Sequence, residues 1–476
     1  MTTTFFTWLV LSLGMLVSAD TLLYLFMTMA LFGAAAAIAL PALGGATITP
    51  VALLVPLLSV RMIRDVGWHA YWRQIADRSA GFWLLLTALW GVLSSYFLPR
   101  LFDGEVLVRS VDRNAVGFGA GLAPLHPVSG NITQSVYIIG GVCAFAALRV
   151  LLANRRRLEH FRDAVLLLAA LNCIAAAINI GELYFSLPRV LQFVRTAGYA
   201  IFDGGELGGL QRVSGTFSET SAFAAFTLPL FAFTLSLWSS GVRPYYSGGL
   251  ALASLLLLLI STSGTAYAGL AMYLFFVLLA RIRQGGIPVG GLVVGSTVAG
   301  VLIGGVLLLE PALAGRVANF FDATVLSKLS SASGAERGTW NQQAWSNFVS
   351  TYGLGVGLGT AKASSYPLVL LSNLGLIGTC LFAGFVLRLF TVPAGPVASE
   401  AAVILAARQA VIAVLCAATV SAAVFYLGMA FYAFAAAAQG RLSRQQHPVA
   451  IPWLGNLRAP ISRFRGPFDH TGATLT

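Results

Sequence analysis

The chain has 476 residues, 58% hydrophobic and only 10% charged, with a mean hydropathy of +0.82. So little charge cannot cover the surface of a soluble protein of this length, and repeated apolar runs place the chain among polytopic membrane proteins. Lys and Arg outnumber Asp and Glu by 29 to 17, but the excess lies in short loops between apolar runs, so it reads as the positive-inside rule and excludes a nucleic-acid surface.

Candidate spans fall near 5–18, 21–40, 47–60, 81–98, 135–153, 163–181, 218–238, 248–261, 265–281, 289–309, 367–390, 402–417 and 421–438. At 1.5 Å per residue, about 20 residues cross the ~30 Å hydrocarbon core. The first three candidates are short and read as tilted, paired or partly re-entrant, which gives an all-α integral membrane protein of about 12 to 13 transmembrane helices. The stretch 402–438 is too long for one span and is predicted to break near "AATVSAA" as a helical hairpin. Cys143, Cys173, Cys380 and Cys416 all lie inside apolar runs without metal-ligand spacing, so they read as small core residues. The N-terminus has no basic region and no A-x-A-like cleavage site, and is not expected to be a removable signal peptide.

Arginine sets the predicted orientation. "RMIRDVGWHAYWRQIADR", "NRRRLEHFR", "RIRQ" and the tail with Arg441, Arg444, Arg458, Arg463 and Arg465 go to the cytoplasm. Loops 99–134, 182–217 and 310–366 then face the opposite side, within one transmembrane domain over 1–440 followed by a basic cytoplasmic tail over 441–476. Residues 187–210 suggest an interfacial helix with a Gly-rich turn. In "GTWNQQAWSNFVSTYG" a short helix is expected, with Thr339 and Gln342 at capping-box spacing. Trp340, Trp345, Phe348 and Tyr352 there read either as headgroup-level belt residues or as faces for stacking a sugar. The only two lysines, Lys328 and Lys362, lie in 310–366 with Arg316 and Arg337. That concentration opposes the topology rule and reads either as charge pairing with Glu310, Asp322 and Glu336 or as a site for an anionic ligand.

Familiar catalytic patterns are missing from the sequence: no Walker A lysine loop, HExxH, DxD or CxxC occurs. "GLGVGLGT" (353–360) is either a flexible approach to the next span or a set of backbone N–H groups facing a phosphate. More telling is an ordered set of motifs. "RVSGTFSET" opens a span at 212, "STSGTAYAG" joins two spans at 261–269, "ERGTWNQQAW" opens the loop helix at 336, and "GLGVGLGTAKASSYPLVLLSNLGLIG" leads into the span after 353. In order and spacing these resemble the O-antigen ligase / Wzy-type polymerase superfamily of bacterial surface-glycan assembly, over roughly 205–390; before that only hydropathy agrees.

The resemblance implies a GT-C-like glycosyltransferase with periplasmic loop helices, using undecaprenyl-diphosphate-linked oligosaccharide at the periplasmic face of the inner membrane, without metal or other cofactor. Partners would be the bilayer, a chain-length regulator and a flippase, and no nucleic acid. The departing lipid diphosphate gains charge, and the paired donors of arginine suit it. Arg212 matches the arginine opening the family's R-x-x-G-T-F motif, and Arg337 matches the arginine before the loop tryptophan. Both are expected to clamp the diphosphate; the plainer role for Arg212 is snorkelling to the interface. Glu219 is a candidate general base or simply the salt-bridge partner of Arg212. Lys362, Ser263, Ser364, Ser365 and Trp340 are candidate substrate contacts. Two departures favour a polymerase of repeat units over a ligase: Ser364-Ser365-Tyr366 stands where ligases carry a histidine, and Ser263-Gly264 where they carry Ser-Arg. A ligase acting on lipid A core or protein, and a transporter or flippase of lipid-linked glycans, are the alternatives.

Overall fold

Long apolar runs became long helices, but among the described residues not every predicted span did so. The computed structural model describes residues 2–40, 46–76, 79–109, 121–185, 187–197, 206–207, 210–283 and 332–440. The predicted span 289–309, Lys328, Arg316, Glu310, Asp322 and the basic tail lie outside the described residues. The described segments all belong to one contact unit, Met1–Arg441.

In chain order the elements begin with β1 (Thr2–Thr3), α1 (Phe5–Leu16), α2 (Ala19–Met29), β2 (Ile38–Leu40), β3 (Ala46–Ile48), α3 (Pro50–Val66), α4 (Trp68–Ala76) and α5 (Ala80–Leu101). Next come β4 (Leu107–Val108), β5 (Ala123–Pro124), α6 (Ser129–Leu152), α7 (Arg155–Tyr184), β6 (Glu206–Leu207), β7 (Leu210–Gln211), α8 (Thr220–Ser239), α9 (Pro244–Ile260) and α10 (Gly264–Arg283). The last four are α11 (Ala332–Ser350), α12 (Tyr366–Thr391), α13 (Ala398–Ser421) and α14 (Met429–Ala438). Seven of these helices, α5, α6, α7, α8, α10, α12 and α13, are long and apolar enough to cross a membrane. Large apolar side chains such as Leu93, Phe97, Leu256, Phe275 and Ile377 stay exposed on the helix surfaces, as a lipid-facing perimeter requires and water would penalise. The apolar window of α10 is 28% buried and that of α8 is 72% buried, which puts α10 at the edge and α8 in the middle.

The N-terminal expectation is corrected. The run 21–40 does not form one span: α2 stops at Met29, and the chain turns into an antiparallel β1-β2-β3 sheet with Ala39 opposite both Thr2 and Thr47. Apolar composition over 31–40 reflects burial of Ala34, Ala35, Ala36 and Ala37, not helix. Of the proposed interfacial helix over 187–210, residues 198–205 and 208–209 lie outside the described residues, and the described ones contain a 3₁₀ turn, Val190–Phe193, and β6, which pairs antiparallel with β7.

The hairpin over 402–438 is also corrected. The chain breaks where the small residues suggest, but the second arm is not a full helix. Residues 422–428 run non-helically, and α14 has only 10 residues. Backbone groups removed from a helix and from water must find partners. Here the Tyr366 hydroxyl donates to the Phe425 carbonyl at 3.1 Å, and Tyr426 N–H donates to Gln134 Oε1 at 3.3 Å. At the other end of α14, Arg149 donates to the carbonyls of Ala436 and Gly440, and Arg408 to those of Ala438 and Val392. Both arginines are buried, so the terminal carbonyls and the helix dipole receive two guanidinium caps.

The glycine-rich stretch 353–360 is a packing device, not a phosphate cradle. Val356 N–H donates to Ser372 O and Gly357 N–H to Asn373 O; Leu358 N–H donates to Ser94 Oγ and Gly355 N–H to Thr351 Oγ1. Those amides are therefore consumed inside the protein. Gly355 (φ +82°) and Gly375 (φ +64°) meet backbone to backbone; a Cβ on Gly375 would lie 2.3 Å from Leu354 O. Gly375 also interrupts α12 with a non-helical conformation.

Candidate functional site

The segment 212–219 is folded into an arch before α8. Asn179 Oδ1, on α7, accepts from the backbone N–H of Ser214 (2.9 Å) and of Gly215 (3.0 Å). Buried Arg195 closes the other side, its Nε donating to Gly215 O at 3.0 Å and its Nη2 to Ser214 Oγ at 2.9 Å. Thr216 Oγ1 donates to Leu31 O at 2.5 Å, tying the arch to the end of α2. Gly215 is at φ +55°, the left-handed region, and Phe223 covers it so closely that a Cβ would meet the ring at 3.1 Å. Arg195 lies in the segment 187–210 that the sequence suggests as an interfacial helix. Its role as the clamp of the arch depends on contacts across chain segments that no local pattern shows.

The arch presents Arg212 at one end and Glu219 at the other. Arg212 is half-buried, and its Nε is buried with no hydrogen-bond partner among the described residues. Burial lowers the pKa of its guanidinium; the Glu219 carboxylate raises it, and Arg337 lowers it. Such Coulombic effects reach only over short distances, so the three charges share one neighbourhood. Among the described ion pairs none joins Arg212 or Arg337 to a carboxylate, so the salt bridge considered between Arg212 and Glu219 is not formed. Glu219 instead accepts from the Ser221 hydroxyl, and although it occupies the N-cap position of α8 its side chain does not cap the helix.

Arg337 comes from α11, which is longer than expected. The helix starts at Ala332, so Thr339 lies inside it and donates to Glu336 O at 2.8 Å; the capping box with Gln342 does not form. One turn beyond Arg337, Trp340 has its Nε1 buried without a partner among the described residues. Asn341 Oδ1 accepts from Ser364 N–H at 2.8 Å, and Gln343 Nε2 donates to Leu107 O at 2.7 Å, which seats the helix on the 364 turn and on β4. Ser364 is buried, and Ser365 takes the N-cap of α12 without a side-chain cap bond. Lys362 is half-buried and joins the Arg109 carbonyl through its backbone N–H at 3.0 Å. Ser263 is buried with Thr262 and Thr265 in the α9–α10 turn; all three hydroxyls lack partners among the described residues, and none of them lines the cavity described next.

Glu219 opens on a cavity of about 530 Å³ bounded by the N-terminal ends of α3, α6 and α8, the C-terminal end of α13, and the non-helical segment 422–428. That is a volume typical of small-molecule sites, within roughly 300–1,000 Å³. Glu219 is the only charged residue in its lining among the described residues. Among the described residues no three His, Cys, Asp or Glu side chains gather as a metal site.

The structure thus defines a helical protein compatible with multiple membrane crossings, with Glu219 in the lining of a cavity and Arg212, outside that lining, within electrostatic reach of Glu219 and Arg337. No protein-family model, curated protein or solved structure matches the chain.

Proposed function

We propose that the protein is a glycosyltransferase that joins undecaprenyl-diphosphate-linked oligosaccharide repeats into a surface polysaccharide such as an O-antigen, capsule or exopolysaccharide. It would work at the periplasmic face of the inner membrane. The observation that carries this reading is that Arg212 and Arg337, drawn from segments over a hundred residues apart, come within electrostatic reach of one another, with no carboxylate in ion-pair contact among the described residues. Two like charges brought together repel, and an anion between them relieves the repulsion. A diphosphate leaving group is such an anion, and its negative charge grows as the glycosidic bond breaks, so the pair stabilises the transition state more than the ground state. Arg212 Nε and Trp340 Nε1 add two unfilled N–H donors, and Glu219 supplies a base on the same arch.

Complementation of a deletion strain tests this. With Arg212→Ala or Arg337→Ala at normal protein level, single repeat units accumulate instead of polymer. Accumulation of free, unattached polymer points to a ligase. Full-length attached product from both variants removes the arginine pair from the chemistry.

One observation favours a second reading, a transporter or flippase of the same lipid-linked glycans: the broken α13–α14 segment beside a cavity resembles the discontinuous helices of transport sites. Product made from synthetic lipid-linked repeat units by the purified protein, in a bilayer with both faces supplied, separates catalysis from transport.

A further inference from the structure

We infer that the cavity beneath Glu219 is the acceptor subsite, and that it receives the terminal sugar of the growing glycan while the arginine pair holds the donor. This deepens the glycosyltransferase reading and rests on it. The first observation is the distribution of charge. Both arginines lie outside the cavity lining, whereas Glu219 belongs to it and also acts electrostatically on Arg212. The carboxylate therefore stands on the boundary between a cationic side and an uncharged side. An anionic diphosphate suits the first; a neutral polyol suits the second.

The second observation is the lining itself. Around the mouth stand neutral hydroxyl and amide side chains, among them Thr49, Ser129, Thr133, Gln134 and Ser221. Gln134 is buried, and its Oε1 is taken by Tyr426 N–H. Its Nε2 donates to no atom of the described residues, so a donor faces the cavity with an orientation fixed by the other half of the amide. Tyr137 and Tyr426 both line the space with ring centroids 4.7 Å apart and planes at 30°, offering aromatic carbon to the C–H face of a sugar. Deeper in, the walls become apolar at Ala225, Leu230, Phe431 and Phe434. From Glu219 to Leu230 along α8 is about 16 Å at helical rise, which leaves room below the sugar for alkyl substituents.

The step then balances. Glu219 takes the proton of one acceptor hydroxyl. The freed oxygen forms the new bond to the donor's anomeric carbon as the bond from that carbon to the diphosphate oxygen breaks. The electron pair leaves on the diphosphate, where Arg212 and Arg337 hold it, and the proton on Glu219 passes to water.

The test uses the full chain in lipid nanodiscs, with the four native cysteines replaced by alanine and Thr133→Cys at the half-buried rim. Maleimide labelling is followed with octyl glucoside below its micelle concentration, and with octyl phosphocholine as the tail-matched control. Protection of at least fivefold by the glucoside alone is expected. It should be lost in Gln134→Leu and in Ala222→Phe, the second filling the lining without removing a hydrogen bond; unprotected labelling at the parent rate shows that each variant is folded. Equal protection by both amphiphiles means that the cavity reads only the alkyl chain, and protection by neither means that it is not the subsite; either result overturns the inference. Stabilisation by inorganic pyrophosphate, measured in parallel, separates the two readings. If the glucoside protects but pyrophosphate has no effect, the donor reading fails and the sugar site stands.

Discussion

Two pairs of arginines divide the molecule. Arg149 and Arg408 are buried around the C-terminal end of α14 and donate to the carbonyls of Val392, Ala436, Ala438 and Gly440, while the Arg149 Nε is buried without a partner among the described residues. Arg212 and Arg337 are half-buried outside the cavity lining, make no ion pair with a carboxylate among the described residues, and act electrostatically on one another. The residue type is the same and neither pair has an acid in ion-pair contact among the described residues, yet the first pair completes a helix and the second is the pair proposed to bind an anion. What separates structure from site is whether the protein supplies acceptors for the guanidinium donors.

The largest effect expected from breaking this contrast is on activity. Arg212→Ala or Arg337→Ala removes an interaction made chiefly in the transition state and should lower polymer formation by at least 100-fold, about 2.7 kcal/mol or more. Gel profiles of the polymer at matched protein level provide the check. Stability should respond in the opposite sense. Arg149→Met leaves the carbonyls of Ala436 and Gly440 unsatisfied and should cost roughly 1–3 kcal/mol for each buried group left without a partner. Arg212→Met should leave the melting temperature unchanged or raise it, because it relieves like-charge repulsion. Thermal unfolding in one detergent compares the two variants directly, and an Arg212→Met protein less stable than Arg149→Met would abolish the distinction.

Smaller effects sharpen it. Gly215→Ala forces a β-carbon into left-handed backbone beneath Phe223, at about 1–2 kcal/mol for the conformation before any clash. It should reduce activity along with stability, since the arch sets the separation of Arg212 from Glu219. The smallest expected change is in ligand response. Pyrophosphate should raise the melting temperature of the parent protein by a few degrees and do so less at high salt, because the contacts are Coulombic and partly exposed. The same addition should leave Arg337→Ala unmoved.

Much of this site was legible in the chain. "RVSGTFSET" already placed an arginine and a carboxylate at a span opening, and Glu219 does occupy the N-cap of α8. "ERGTWNQQAW" already suggested a helix carrying Trp340 with Arg337 just ahead of it, and α11 carries both. The clamp of Arg195 and Asn179 on the arch was not legible, since both partners lie outside the motif and act on its backbone. Nor was the failure of the Thr339–Gln342 capping box, because the helix begins seven residues earlier than the pattern suggests.

By itself, the sequence determined the class of protein. Apolar runs of bilayer length demand helices whose backbone bonds close within the segment, and the arginines between them predict an orientation. It could not decide which apolar runs become complete helices. The stretch after Ser421 is as apolar as any span, but tertiary partners are available for its freed backbone in Tyr366 and Gln134, and for the end of α14 in Arg149 and Arg408. Non-helical backbone is stable there because other helices satisfy it, and the cavity lies beside it for that reason. Hydropathy is a sum over neighbours in the chain, whereas this break is paid for by residues distant in it.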